Sequence, residues 1–96
     1  MFRRCSLTWN LALDNAKHGI RVNALCPTWV ETPMLDRSLK RWQGLEKVIQ
    51  SASPAGRPAT REEVANVVVF MSSPSASYIN GTGLLVDAGM LVTSHI

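Results

Sequence analysis

The sequence predicts an α/β fold in which this chain holds the last two strands, with their helices, of a larger doubly wound parallel sheet. Three observations carry that expectation. A short apolar run over residues 20–25 sits between Gly19 and Pro27, and a second over residues 83–87 sits between Asn80-Gly81 and Gly89. Patterns of helical period fill the ground between them. That order is one strand-helix-strand crossover, and a lone parallel pair would leave an open edge and an uncovered face.

Each element has a local cause. Residues 6–18 carry Leu7, Leu11, Leu13 and Ala16 among good helix formers, and Lys17, His18 and Gly19 supply a positive last turn and a glycine stop. Residues 20–25 include two β-branched side chains between a glycine and a proline, which reads as a strand buried on both faces. Thr32 before Pro33 is an N-cap followed by proline in the first turn, so a helix is expected to about Lys40. Trp42 and Gly44 interrupt it. Leu45, Val48 and Ile49 then offer a second short apolar face before Ser53-Pro54-Ala55-Gly56 breaks the chain.

The sharpest start signal is Thr60-Arg61-Glu62-Glu63, a capping box in which hydroxyl and carboxylate exchange backbone amides. Val64, Val67, Val68 and Met71 follow at the spacing of a core-facing stripe, and Ser73-Pro74 ends the helix. Asn80-Gly81 makes a turn, and the strand from Gly83 through Asp87 closes the pattern.

Composition narrows the function classes. A chain of 96 residues allows one domain at most with a modest core, and 46% hydrophobic against 18% charged residues is the balance of a folded globular chain. The net charge of +3 comes from 10 Lys+Arg against 7 Asp+Glu, scattered without a basic stripe or aromatic platform, which argues against nucleic-acid binding. No stretch reads as a transmembrane segment, and no signal-peptide core follows Met1-Phe2-Arg3-Arg4. Cys5 and Cys26 lack metal-ligand spacing, and Cys26 after an apolar run reads as a buried reduced thiol, so a cytoplasmic location is expected. His18 suits a helix C-terminus and His95 lies in the tail, so no metal site is expected.

Several segments, taken in order, resemble one family. They are Leu11-Ala12-Leu13-Asp14, Gly19-Ile20-Arg21-Val22-Asn23, the loop Pro27-Thr28-Trp29-Val30-Glu31-Thr32-Pro33-Met34, Gly56-Arg57-Pro58-Ala59 with Glu62-Glu63-Val64-Ala65, and Ser77-Tyr78-Ile79-Asn80-Gly81 leading to Val86-Asp87-Ala88-Gly89. Together they resemble the C-terminal third of the short-chain dehydrogenases/reductases, whose NAD(P)-binding domain is Rossmann-like. Nearly the whole chain takes part, so residues 1–96 would form the C-terminal part of such a domain.

The resemblance implies hydride transfer between an alcohol and a ketone, with NAD or NADP as cofactor. It implies cofactor contacts from Pro27, Thr28, Val30 and Thr32, the Thr32 hydroxyl and the backbone around Val30 meeting the nicotinamide carboxamide. Trp29 and Met34 would flank the substrate. Each also has a plainer role, Thr32 as a helix cap and Trp29 and Met34 as packing. Thr28 departs from the family's usual Pro-Gly, and a β-branched residue tolerates neither positive φ nor close approach as glycine does, which puts the loop geometry in question.

No Gly-x-Gly-x-x-Gly run and no Tyr-x-x-x-Lys pair occur in the sequence, and Tyr78, the single tyrosine, lies in a different segment. In the family that tyrosine is the acid or base, so no catalytic residue is expected here and the chain alone is expected to be inactive. The first reading is an N-terminally truncated oxidoreductase. The second is a non-catalytic piece that forms a homo- or hetero-oligomer with full-length subunits, through the helix that opens at Ser6 and closes on His18 and the strand from Gly83 through Asp87. The third is the product of a misassigned start or a broken gene.

Overall fold

A glycine, a threonine and a capping box set three of the helix boundaries. The computed structural model describes residues 5–93, with side chains from 6 to 92. In order they form α1 (Cys5–Asn15), a 3-10 turn (Ala16–His18), β1 (Ala24–Pro27), α2 (Pro33–Arg41), α3 (Leu45–Ala52), α4 (Arg61–Met71), a second 3-10 turn (Pro74–Ala76), β2 (Gly83–Val86) and α5 (Met90–Thr93). The two strands pair in parallel, and the crossover between them carries α2, α3 and α4. The class is α/β, as the sequence predicts. Residues 5–26 with 66–85 make one compact unit, and residues 27–65 with 86–93 make a second.

In the first unit, Gly19 ends the helical run with φ of 72° and donates its N–H to the Ala16 carbonyl at 3.0 Å, a left-handed cap that favours glycine. The buried face of α1 is small: Thr8 and Ala12, one turn apart, lie inward while Leu7 and Leu13 are exposed. Ala12 lies beneath Gly81, where a β-carbon would stand 3.5 Å from it.

The first strand departs from expectation. It begins at Ala24 and not at Ile20, Ile20 is exposed, and Ala24, Leu25 and Cys26 are half-buried, so it is not a strand covered on both faces. Side chains take over where a backbone ladder was expected. The Asn80 side-chain oxygen accepts the Val22 N–H at 2.9 Å, and the Asn23 side-chain oxygen accepts the Thr82 N–H at 3.0 Å. The Arg21 guanidinium donates to the carbonyls of Met71 at 2.9 Å, Ile79 at 3.1 Å and Ser73 at 3.4 Å. It thereby caps the C-terminal end of α4, whose last carbonyls have no partner within the helix. The Asn80 amide also donates to the Ala12 carbonyl at 3.4 Å.

Other boundaries also shift. The Cys26 thiol is free but half-buried, because β2 is the only described strand beside it. Val64, Val67 and Met71 of α4 are half-buried, whereas Val68 is exposed together with Val69 and Phe70, so the inward stripe is narrower than its spacing predicts. The second strand stops at Val86, because the Asp87 carboxylate turns to accept the N–H groups of Gly89 and Leu91 at 2.9 and 3.0 Å, capping α5. The Cys5 side chain, Arg3-Arg4 and His95 lie outside the described side chains.

The second unit buries Leu35 of α2 and Ile49 of α3, and these two helices are in contact. Its capping box forms as the sequence predicts: the Glu63 N–H donates to the Thr60 hydroxyl at 3.1 Å, and the Glu63 carboxylate accepts the Thr60 N–H at 2.9 Å. The Arg57 guanidinium grips the same carboxylate with two bonds, at 2.8 and 3.1 Å. These bonds, led by the one from Arg57, hold the Glu63 carboxyl down at about 2 from an ordinary 4.5. The buried hydroxyl of Ser53 donates to the Arg57 carbonyl at 3.1 Å and fixes the turn from the other side.

Two predictions follow from this bonding. Arg21→Lys places one compact ammonium where a fork spans three carbonyls, and the urea midpoint followed by circular dichroism is expected to fall by an amount equivalent to about 1–3 kcal/mol. An unchanged midpoint would contradict the capping role. For Glu63, a carboxyl that titrates near 4.5 when unfolded and about 2 when folded stabilises the chain fully above 4.5 and loses that contribution as pH falls toward 2. Glu63→Gln keeps a capping-box side chain without the charge, so the melting temperature of the variant should fall less steeply than that of the parent between about pH 5 and pH 2. Parallel acid limbs would rule the pairing out.

Candidate functional site

The loop after β1 is held by one short parallel bridge. The Ala59 N–H donates to the Trp29 carbonyl at 2.9 Å, and the Glu31 N–H donates to the Ala59 carbonyl at 2.8 Å. Because both neighbours of Val30 bond to one residue, the N–H and C=O of Val30 itself are directed to the opposite side of the extended chain. Neither has a partner among the described residues.

Two residues on, Thr32 caps α2. Its hydroxyl oxygen accepts the Leu35 N–H at 3.2 Å, and Pro33 occupies the first turn. Thr28, where the resemblance made the loop geometry doubtful, does not need glycine. Among the described residues Ala88 is the one non-glycine with positive φ, so Thr28 takes an ordinary backbone conformation.

The structure brings the six sequence-predicted site residues together. Pro27, Thr28, Trp29, Val30, Thr32 and Met34 line one cleft of about 420 Å³, with Leu35, Ser38, Trp42 and Leu45 completing its wall. No charged side chain lines it. Charged side chains line two neighbouring clefts: one of about 580 Å³ shares Thr32 and Leu35 and holds Glu31, Asp36, Glu46, Arg57 and Arg61 among others, and one of about 340 Å³ shares Met34 and Ser38 and holds Arg37, Lys40 and Arg41. Among the described residues no group of His, Cys, Asp or Glu could hold a metal ion, and no helix is long and apolar enough to cross a membrane. Tyr78 is fully exposed and lies in the first unit, outside the residues that line this cleft.

Leu35, Ser38, Trp42 and Leu45 are the cleft residues that sequence reasoning missed. Their signal was present: Met34, Ser38 and Trp42 are spaced i, i+4, i+8, which puts them on one side of α2 and its cap. The interruption at Trp42 masked that continuity.

Residues 5–91 match the family model described as enoyl-(acyl carrier protein) reductase. The chain belongs to the short-chain dehydrogenase/reductase family. It is 50% identical over 90 residues to the short-chain dehydrogenase srdC of Neurospora crassa, a match covering 94% of this chain and 33% of that protein. Among solved structures it resembles the TT0495 protein of Thermus thermophilus, at 37% identity and a TM-score of 0.83 over 95% of this chain and 38% of that one. A protein of Agrobacterium tumefaciens with bound NADP aligns at 39% identity and a TM-score of 0.82, over 92% of this chain and 35% of that one. The chain spans about a third of the length of the curated relatives it matches.

Within this short-chain dehydrogenase/reductase loop, the cap role of Thr32 can be measured. Thr32→Ala leaves the Leu35 N–H without its acceptor and is expected to lower stability by about 1 kcal/mol, whereas Thr32→Ser keeps the oxygen and most of the stability. Equal losses for the two variants in chemical denaturation would show that the hydroxyl does not cap the helix.

Proposed function

We propose that this chain supplies the nicotinamide-facing loop and one substrate wall of an NAD(P)-dependent oxidoreductase that interconverts an alcohol and a ketone. The observation that carries the reading is the N–H and C=O of Val30, without a partner among the described residues, on the same apolar cleft as Thr32. A primary carboxamide is the complement of that pair: it donates to the Val30 carbonyl and accepts from the Val30 N–H. The Thr32 oxygen is engaged by Leu35, which leaves its O–H as a further donor. The residues present therefore fit a nicotinamide amide.

When bound, the nicotinamide ring supplies the carbon that takes up or gives the hydride, and the hydroxyl proton travels separately to a base. The chain's part is orientation. Val30 and Thr32 fix the rotation of the ring about its amide, while Trp29 and Met34 keep water from the face they cover. Proton transfer is assigned to no residue of this sequence, and the isolated chain is expected to show no turnover. Family membership and the relative with bound NADP support the choice of cofactor.

Titration of the isotope-labelled chain with nicotinamide mononucleotide tests the reading. The expected result is saturable amide-shift changes at Val30, Glu31 and Thr32, with weaker binding of nicotinic acid mononucleotide, whose carboxylate has no proton to give the Val30 carbonyl. No change at these amides, or equal affinity for the two probes, would overturn it.

A further inference from the structure

The cleft next to Val30 has an unusual chemical balance for a site on a chain with 17 charged residues, counted as 10 basic plus 7 acidic. Two indoles and a thioether stand on its wall with Pro27, Val30, Leu35 and Leu45, and its polar side chains are three hydroxyls. Two of the hydroxyls are already engaged, Thr32 by the Leu35 N–H and Ser38 by donation to the Met34 carbonyl at 3.2 Å. Thr28 has no side-chain partner among the described residues and sits at the same loop as the free Val30 groups. The polar capacity is therefore small, neutral and gathered at the loop.

Trp42 is held in an open position. Its N–H donates to the Ser38 carbonyl at 3.0 Å and its carbonyl accepts the Leu45 N–H at 3.2 Å, so the last turn of α2 and the first of α3 both fix its backbone. Gly44 makes the corner possible with φ of 90°, a conformation that side-chain-bearing residues rarely adopt. The backbone is anchored, yet the indole is 66% exposed, and Met34 is 69% exposed. A large apolar surface kept on a rigid corner facing a cleft is a wall that awaits a flat apolar group.

We infer that this cleft takes a neutral, flat, cyclic alcohol or ketone, with Trp42 as the residue that selects for ring shape. The inference rests on the proposed oxidoreductase function and names its substrate class. An anionic substrate would lose its hydration with no cation among the residues that line this cleft, since Arg57 and Arg61 line one neighbouring cleft and Arg37, Lys40 and Arg41 line another that shares Met34 and Ser38. A polyhydroxylated sugar would leave most of its hydroxyls against indole and thioether. A fused-ring ketone instead stacks on the indoles and presents its oxygen to Thr28.

The test uses the full 96-residue chain without cofactor, so it reads substrate recognition apart from hydride transfer. Binding of 1-tetralone, 2-naphthoate and 2-octanone is followed by ligand-observed NMR and by quenching of tryptophan fluorescence. The expected order is 1-tetralone tightest, with 2-octanone weaker for lack of a flat ring and 2-naphthoate weaker for its charge. Trp42→Ala should weaken 1-tetralone about tenfold, which corresponds to about 1.4 kcal/mol, and Trp42→Phe should recover part of the loss. Trp9→Ala, outside the cleft, should leave binding unchanged.

Equal binding of 1-tetralone and 2-naphthoate, or no effect of Trp42→Ala, overturns the inference. Because Trp42 is mostly exposed, its replacement should leave the circular dichroism spectrum intact, and a variant that unfolds contradicts the placement argued here. A chain that binds nicotinamide mononucleotide at Val30 but does not discriminate the ring probes loses this inference alone. A chain that binds neither loses the functional reading as well.

Discussion

Two hydrogen bonds are what the cleft loop depends on: the Ala59 N–H donates to the Trp29 carbonyl, and the Ala59 carbonyl accepts the Glu31 N–H. In an extended chain successive residues turn their amides to opposite sides, so fixing both neighbours of Val30 to one partner frees the groups of Val30 for something else. Ala59 is itself held. It lies between Arg57, clamped to Glu63, and Thr60, which shares the capping box with that carboxylate. One carboxylate therefore fixes the start of α4 and the segment that presents the bridge. The two jobs agree because both need a negative oxygen at a helix N-terminus, where the backbone dipoles also favour it.

The first unit solves a different problem by similar means. Residues 21–23 and 79–82 run side by side without a regular ladder, and their half-buried amides would be costly without partners. Arg21, Asn23 and Asn80 supply those partners from their side chains. Among the described residues no buried side-chain nitrogen or oxygen lacks a bond. A guanidinium is suited to the α4 end because its donors are spread over a planar fork, which spans carbonyls further apart than the single nitrogen of an ammonium does. Backbone bonds interleave with these side chains, the Gly81 N–H donating to the Val22 carbonyl and the Ala24 N–H to the Thr82 carbonyl, each at 2.8 Å.

This division explains which features were legible in the sequence. Gly19, Thr32 and the Thr60 box were readable because each acts on amides within a few residues of itself, so local identity is enough. The beginning of β1 was not, because Ile20 to Ala24 has the composition of a strand while its bonding is decided by Asn80 and Thr82, far along the chain. Val68 fits the inward period of α4 yet is exposed, since burial needs a neighbour that periodicity cannot supply. At the site, the loop residues came from family resemblance, whereas Trp42 needed the geometry of the α2–α3 corner. The i, i+4, i+8 spacing of Met34, Ser38 and Trp42 hinted at that place, and the break at Trp42 hid it.

The separation of neutral from charged surface in the second unit is a consequence of helix register. On α2, Ser38 lines the apolar cleft with Met34 and Trp42, whereas Asp36 and Leu39 line the charged one. Leu35, at the boundary, serves both and is the residue that α2 buries. A slip of one residue would rotate these positions by about 100° and bring Arg37 or Leu39 to where Ser38 stands. What prevents the slip is the cap, because Thr32 accepts one particular amide, that of Leu35, and Pro33 cannot continue the helix backwards with an N–H of its own. The same threonine thus lines one cleft with Val30 and sets which side chains of α2 face each cleft. Its two roles are compatible because a hydroxyl accepts with its oxygen and donates with its proton, and the cap uses the oxygen alone.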